Sequence, residues 1–84
     1  MQVRFYGELR GVKKLGEFKR RNGEIGYNVS VTVESEDESR TFVGNEELLA
    51  AYQSGKLQKG DYYEFVADYN PNYRFNQFVV VSAK

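Results

Sequence analysis

The chain lacks the residue types on which most catalytic and metal-binding sites depend. Its 84 residues include no cysteine, no histidine and no tryptophan, and only one proline. Disulfides and thiolate metal sites are therefore excluded, and the commonest metal ligand and general base is missing. The sequence also has no phosphate-binding glycine loop, no nucleophile elbow and no residues at metal-ligand spacing. We therefore expect a protein that is not an enzyme and has no cofactor or metal.

Long apolar runs and a net charge are also missing. No segment has the length and apolarity of a membrane span or a secretion signal, so we expect a soluble, cytoplasmic protein with no membrane partner. The length suits one small domain over residues 1–84. The charges are segregated, because residues 1–23 carry seven basic side chains and residues 24–54 carry seven acidic ones. This asymmetry favours a surface that is positive on one side.

One stretch, residues 44–61, carries a clear helix signal. Asn45 is a good N-cap residue, and Glu46 and Glu47 follow where the helix dipole favours negative charge. Gly55 is suited to the position just after a helix end. The apolar residues between these signals share one face. The sequence therefore predicts one short helix here.

Alternation of polar and apolar residues predicts three strands before this helix and two after it. In order, the predicted strands cover residues 2–10, 27–34, 40–44, 62–70 and 75–83. Three strands, a helix and two strands is the order of the OB-fold, so we predict a mainly β protein. Its expected architecture is a five-stranded OB-fold-like barrel with one short helix between strands 3 and 4. The last predicted strand is apolar on both faces at its end, which is one expected mark of a dimer contact.

The segment between the first two predicted strands has two interpretations. Asn22-Gly23 is typical of a type I′ hairpin turn. Apolar residues recur every three positions from Val12 to Phe18, which is instead typical of a helical turn. Gly7, in the first strand, also has two interpretations. It permits either a bulge or a sharp coil, which a strand that serves both sides of a barrel needs, or it is a weak point without a role.

Basic residues interleaved with aromatic rings favour binding of single-stranded nucleic acid, which combines a positive groove with rings that stack on bases. In an OB-fold, the loops between strands 1 and 2 and between strands 4 and 5 flank the binding face, and both predicted loops carry such residues. The candidate nucleic-acid-binding residues are Arg4, Tyr6, Lys13, Lys14, Phe18, Lys19, Arg20, Arg21, Tyr27, Tyr69, Tyr73 and Arg74. Bases of DNA and of RNA stack on aromatic rings alike, and exposed rings also mediate contacts between proteins. RNA binding and a role as a protein-interaction module therefore stay open as alternatives.

In layout and length the chain resembles the small single-stranded-DNA-binding proteins of filamentous phages and mobile elements. The stretches that carry the resemblance are RRNGEIGYNVSV at 20–31, KGDYYEF at 59–65 and VVVSAK at 79–84. The resemblance implies an OB-fold homodimer that coats single-stranded DNA cooperatively and without sequence preference, with a role in DNA replication. It suggests Arg20 and Arg21 as phosphate contacts and Tyr27 as a stacking side chain. Tyr73 would contact the nucleic acid or a neighbouring dimer.

Overall fold

Five strands close into a barrel, and one short helix lies between the third and the fourth. The computed structural model describes residues 2–69 and 78–84. Its elements are β1 (Gln2–Lys19), β2 (Ile25–Ser35), β3 (Glu38–Gly44), α1 (Glu46–Gln53), β4 (Tyr62–Tyr69) and β5 (Phe78–Ala83). The closed strand order is β1–β2–β3–β5–β4, with β4 returning to β1. The predicted OB-fold-like barrel is therefore confirmed.

β1 is longer than predicted because it belongs to both sides of the barrel. Residues 2–8 pair with β4 and residues 8–19 pair with β2, so Glu8 pairs on both edges. The register against β2 shifts after Leu9 and again after Lys14. Such bulges bend and twist a strand, which lets one strand turn the corner of a small barrel. The predicted alternative of a helical turn is wrong, because residues 12–18 lie in β1, where Val12 and Phe18 pair with β2.

Gly7 lies inside the barrel and is not at a bulge. It is buried and pairs with Tyr63 of β4. A side-chain carbon at this position would clash with Cγ1 of Val33 and would lie 2.9 Å from the carbonyl oxygen of Glu34. Close approach between two strands therefore restricts the position to glycine. The interpretation of Gly7 as a bulge is wrong, and so is its interpretation as a position without a role.

The core is formed by the inward rows of the strands together with α1. The most completely buried side chains are Leu9, Val29, Val31, Phe65 and Val80. Leu9 belongs to β1, Val29 and Val31 to β2, Phe65 to β4 and Val80 to β5. The ring of Phe5 packs between two others, with centroid distances of 5.0 Å to Phe42 and 5.4 Å to Phe65. Each large apolar side chain buried in this way contributes roughly 1.5–3 kcal/mol to folding.

α1 begins and ends where the sequence predicts. The side-chain oxygen of Asn45 accepts a hydrogen bond from the backbone N–H of Leu48 at 2.9 Å. Gly55 has a φ of 87°, and the N–H of Lys56 donates to the carbonyl oxygen of Ala51 at 2.9 Å. This bond and the left-handed glycine form a Schellman-type helix end. The helix packs against β1, β2 and β5. Among the described residues, no helix is long and apolar enough to cross a membrane.

The barrel closes across a short seam between β3 and β5, which run parallel. Among the described residues the seam has one strand pair, Val43 opposite Val79. The side-chain amide of Asn45 adds a bond, donating to the carbonyl oxygen of Val81 at 3.2 Å. Asn45 therefore joins the start of α1 to β5 as well as capping the helix.

Two consecutive valines of β5 are buried, which explains why this strand is apolar on both faces. Val79 is 9% exposed and Val80 is fully buried. The register of β5 against β4 shifts between Val66 and Ala67, so neighbouring residues are not held to strict alternation. The barrel itself covers Val79 and Val80. The expected homodimer stays a prediction.

A type I′ turn is present in the β2–β3 hairpin and not, as predicted, at Asn22-Gly23 of the β1–β2 hairpin. Gly23 has a φ of 88°, whereas Asn22 has no positive φ, and the N–H of Gly23 donates to the carbonyl oxygen of Arg20 at 3.0 Å. The first hairpin therefore has a three-residue loop with glycine in the left-handed position. In the β2–β3 hairpin both central residues have positive φ, 51° at Glu36 and 67° at Asp37, as a type I′ turn requires. The type I′ prediction for Asn22-Gly23 is wrong because that loop is one residue longer.

Candidate nucleic-acid interface

The β1–β2 hairpin continues past the barrel as a two-stranded ribbon. β3 pairs with β2 only as far as Val29, which lies opposite Gly44. The pairing of β1 with β2 continues to Lys19, which lies opposite Ile25. We call residues 13–28 the hairpin ribbon; its first two residues, Lys13 and Lys14, lie opposite the last positions of β2 that pair with β3. The basic segment that we predicted as a loop is therefore mostly strand, and its side chains project alternately to two faces.

The hairpin ribbon brings seven of the twelve candidate residues together. They are Lys13, Lys14, Phe18, Lys19, Arg20, Arg21 and Tyr27. All are exposed except Tyr27, which is half-buried and packs against the core. The candidates of the first predicted loop therefore lie on one element.

One face of the ribbon continues the outer face of β2. Lys13 lies opposite Ser30 and Phe18 lies opposite Gly26, both on the outward side. Ser30 in turn lies opposite Val43 of β3. The outer face of strands 2 and 3 is the surface with which OB-folds bind oligonucleotides and oligosaccharides. Lys13 and Phe18 therefore lie where an OB-fold places its ligand.

The opposite face of the ribbon leads into the core. There the Nζ atom of Lys14 lies 2.6 Å from Oε1 of Glu17 and 4.9 Å from the ring centroid of Tyr27. The hydrogen bond between the two charged groups raises the pKa of Lys14 and lowers the pKa of Glu17. The ammonium group over the ring is a cation–π contact. Lys14 and Tyr27 are thus already in contact with each other, on a different face from Phe18.

Arg20 folds back across the outer face of the ribbon. Its guanidinium carbon lies 5.6 Å from the ring centroid of Phe18, and its Nη2 forms an ion pair with Oε1 of Glu46, the first residue of α1. A side-chain carbon at Gly26 would lie 2.8 Å from Nε of Arg20 and 2.9 Å from Cζ of Phe18. The absence of a side chain at Gly26 therefore makes room for Arg20 and Phe18.

A groove of about 340 Å³ separates the ribbon from the start of α1. Phe18, Arg20 and Tyr27 line its ribbon side, and Glu46 and Glu47 line its helix side. Two candidate rings and one candidate cation thus border one groove. The carboxylates opposite them make the groove mixed in charge.

Three cations of the ribbon remain available for a ligand. Among residues 2–69 and 78–84, Lys13, Lys19 and Arg21 form no ion pair, whereas Lys14 and Arg20 each form one. Exposed, unpaired cations are the groups that neutralise phosphates. These three residues are therefore the strongest candidates for phosphate contacts.

Arg4 and Tyr6 lie on the other half of β1 and are not brought together with the ribbon residues. Nη1 of Arg4 lies 3.2 Å from Oε1 of Glu64, and the hydroxyl of Tyr6 donates to Oε2 of Glu64 at 2.5 Å. This hydrogen bond is the main cause that lowers the pKa of Glu64 and raises the pKa of Tyr6. Tyr6 also borders a groove lined by four acidic side chains near the β2–β3 turn. Phosphates would be repelled there, so the roles predicted for Arg4 and Tyr6 have less structural support.

The remaining candidates are in the second predicted loop. The backbone of β4 ends at Tyr69, which pairs with Phe78. Tyr73, Arg74 and the side chain of Tyr69 lie outside what the structure describes. Their predicted roles stay predictions.

Sequence reasoning missed two residues that shape the ribbon surface, Gly26 and Glu46. A glycine inside a strand is a general sign of close approach, but this signal was hidden at Gly26 because the predicted second strand begins only at residue 27. Glu46 was interpreted only as a residue of the first helical turn. Its contact with Arg20 joins residues that are 26 positions apart, for which the sequence carries no local signal.

Within the described part of the chain, no group of three or more histidine, cysteine, aspartate or glutamate side chains is placed to hold a metal ion.

In comparisons with known proteins, no family model, no curated protein and no solved structure matches this chain. The resemblance to phage and mobile-element DNA-binding proteins therefore stays a prediction from the sequence.

Proposed function

We propose that the protein binds single-stranded DNA without sequence preference, through the hairpin ribbon and the adjoining outer face of β2 and β3. The observation that carries the proposal is the position of Phe18. Phe18 is 43% exposed on a ribbon that also bears Lys13, Lys19 and Arg21, which form no ion pair within the described residues. A stacking ring among available cations is the combination that holds a single strand.

The separation of charge along β2 supports the same proposal. The ribbon carries five basic residues against Glu17 and Glu24, whereas the turn at the far end of β2 carries Glu36, Asp37 and Glu38. A strand of 11 residues is roughly 35 Å long at about 3.3 Å per residue. This length is several times the Debye length of about 8 Å at physiological salt. The acidic turn is thus screened from the ribbon, and zero net charge is compatible with a positive binding surface.

The available contacts favour binding without sequence preference. Cations that reach phosphates carry no sequence information, and a ring stacks on any base. We propose DNA as the ligand because of the layout that the chain shares with DNA-coating proteins. Competition between unlabelled DNA and RNA oligomers of the same sequence decides between the two, and stronger competition by RNA would replace DNA with RNA in the proposal.

The test is a titration of a fluorescent thymidine oligomer at two salt concentrations. Single-strand binding that neutralises three phosphates should give a log–log salt slope of about −2, at about −0.7 for each phosphate. Reversing the charge of two ribbon cations, in the K19E/R21E variant, should weaken binding by about tenfold or more, equally for all oligomer sequences.

The matched control is the K56E/K59E variant, which changes the net charge equally. Lys56 and Lys59 are exposed in the loop between α1 and β4, outside the ribbon. This variant should bind like the wild type. Equal weakening by both variants would show that only net charge matters and that the ribbon is not the site. A wild-type protein that does not bind at low salt, yet captures one protein partner, would favour the alternative of a protein-interaction module.

A further inference from the structure

We infer that the ion pair between Arg20 and Glu46 is an autoinhibitory latch on the hairpin ribbon, which single-stranded DNA opens when it binds. The inference rests on the proposed function, since it concerns regulation of the same site. In the closed arrangement the latch occupies two groups that the ligand needs. These are one side of the Phe18 ring and the charge of Arg20.

The latch covers the stacking ring. The guanidinium carbon of Arg20 lies 5.6 Å from the ring centroid of Phe18, within the range of a cation–π contact. A base that stacks on this side of the ring occupies the volume that the guanidinium now fills. Stacking on this side of the ring therefore requires the Arg20 side chain to move away.

The latch also neutralises the cation. Nη2 of Arg20 is paired with Oε1 of Glu46, so a phosphate that binds Arg20 competes with a carboxylate. Glu46 is in the first turn of α1, where the helix dipole stabilises negative charge without help from Arg20. The carboxylate therefore keeps its place when Arg20 leaves, and it remains a competitor for Arg20 throughout.

The latch opens by movement of one side chain. The backbone of Arg20 is anchored in the hairpin loop, where its N–H donates to the carbonyl oxygen of Glu24 at 2.8 Å. The side chains of Arg20 and Glu46 are 42% and 41% exposed, and exposed ion pairs are weak and screened by salt. Gly26 provides the open space in which the guanidinium rests. A phosphate can thus displace Glu46 without any change in the barrel.

The test is a double-mutant cycle with E46Q, R20Q and R20Q/E46Q, using the same fluorescent thymidine oligomer. E46Q should bind about two- to fivefold more tightly than the wild type, which is the range that exposed ion pairs span. Its salt slope should become steeper by up to about 0.7, because Arg20 then adds a full phosphate contact. In the R20Q background, the E46Q substitution should no longer produce this tighter binding or this steeper salt slope.

The matched control is E47Q, which removes the same charge from the same helical turn. Glu47 is exposed and, within the described residues, forms no ion pair. Equally tighter DNA binding by E46Q and E47Q would overturn the latch, since the effect would then come from the loss of one negative charge near the ribbon and not from the ion pair with Arg20. Undiminished tightening by E46Q in the R20Q background would overturn it as well. If the wild type binds the oligomer and E46Q binds it equally well, the latch is refuted and the proposed function stands. If neither protein binds, the proposed function is refuted as well. Thermal unfolding of each variant verifies that it is folded.

Discussion

β2 joins two hairpins that differ in both charge and backbone geometry. At its first end, the ribbon is basic and turns through a three-residue loop with Gly23 in the left-handed conformation. At its other end, the acidic turn places Glu36 and Asp37 in left-handed conformations that glycine and asparagine adopt more readily. The zero net charge of the chain is thus the sum of a basic surface and an acidic surface. The net charge alone describes neither of them.

The two ends of β2 also differ in how glycine is used. Near the acidic turn, Gly7 lets the backbone of β1 approach Val33 and Glu34 so closely that no side chain fits. On the ribbon, the atoms nearest to the position of a side chain at Gly26 belong to the side chains of Arg20 and Phe18. One end of the strand is packed for barrel closure, whereas the other presents a surface whose side chains can rearrange.

The largest expected effect tests this difference in packing. Gly7→Ala should lower the free energy of unfolding by about 1–3 kcal/mol, because the new carbon overlaps Val33 and the backbone of Glu34. Gly26→Ala should have a smaller effect, since the end of the Arg20 side chain can move. Urea unfolding of both variants measures the two losses. Equal losses would mean that the ribbon is as rigid as the barrel wall.

A second test compares exposed rings from the two surfaces. Phe18→Ala should weaken binding of the thymidine oligomer by about 1–2 kcal/mol, the loss of one stacked base. Tyr62 is 75% exposed but borders the acidic groove, so Tyr62→Ala should leave binding unchanged. Fluorescence titration of both variants at one salt concentration gives the comparison. A larger loss for Tyr62→Ala would move the binding surface to β4.

The smallest expected effect concerns the two turns. Asp37→Gly should raise the free energy of unfolding by about 0.5–1 kcal/mol, because glycine adopts a φ of 67° without strain. Gly23→Ala should lower it by a similar amount, since alanine is strained at a φ of 88°. Urea unfolding measures both shifts. A change of the same sign in the two variants would contradict this account of the turns.

The elements that local physics determines were predictable from the sequence. Asn45 and Gly55 mark the ends of α1, and alternation identifies residues 27–34 as a strand, all of which lie in β2. The full length of β1 was not predictable, because the register shifts after Leu9 and Lys14 interrupt its alternation. The acidic turn carries no glycine or asparagine at Glu36 and Asp37, so its type I′ geometry had no sequence signal.

The candidate site was predictable only where its residues are neighbours in the chain. The ribbon gathers Lys13 through Tyr27 because one hairpin contains them all. The partners of the basic residues were not predictable, since Arg20 meets Glu46 and Arg4 meets Glu64 across the fold. Only the structure therefore separates paired cations from those that remain available for phosphates.

Asn45 has a consequence for how the barrel comes apart. Its side chain caps α1 through Leu48 and also donates to the carbonyl oxygen of Val81. Withdrawal of this one amide group loosens the first helical turn and the β3–β5 seam in a single step. The first turn of the helix and the β3–β5 seam are therefore coupled through a single side chain.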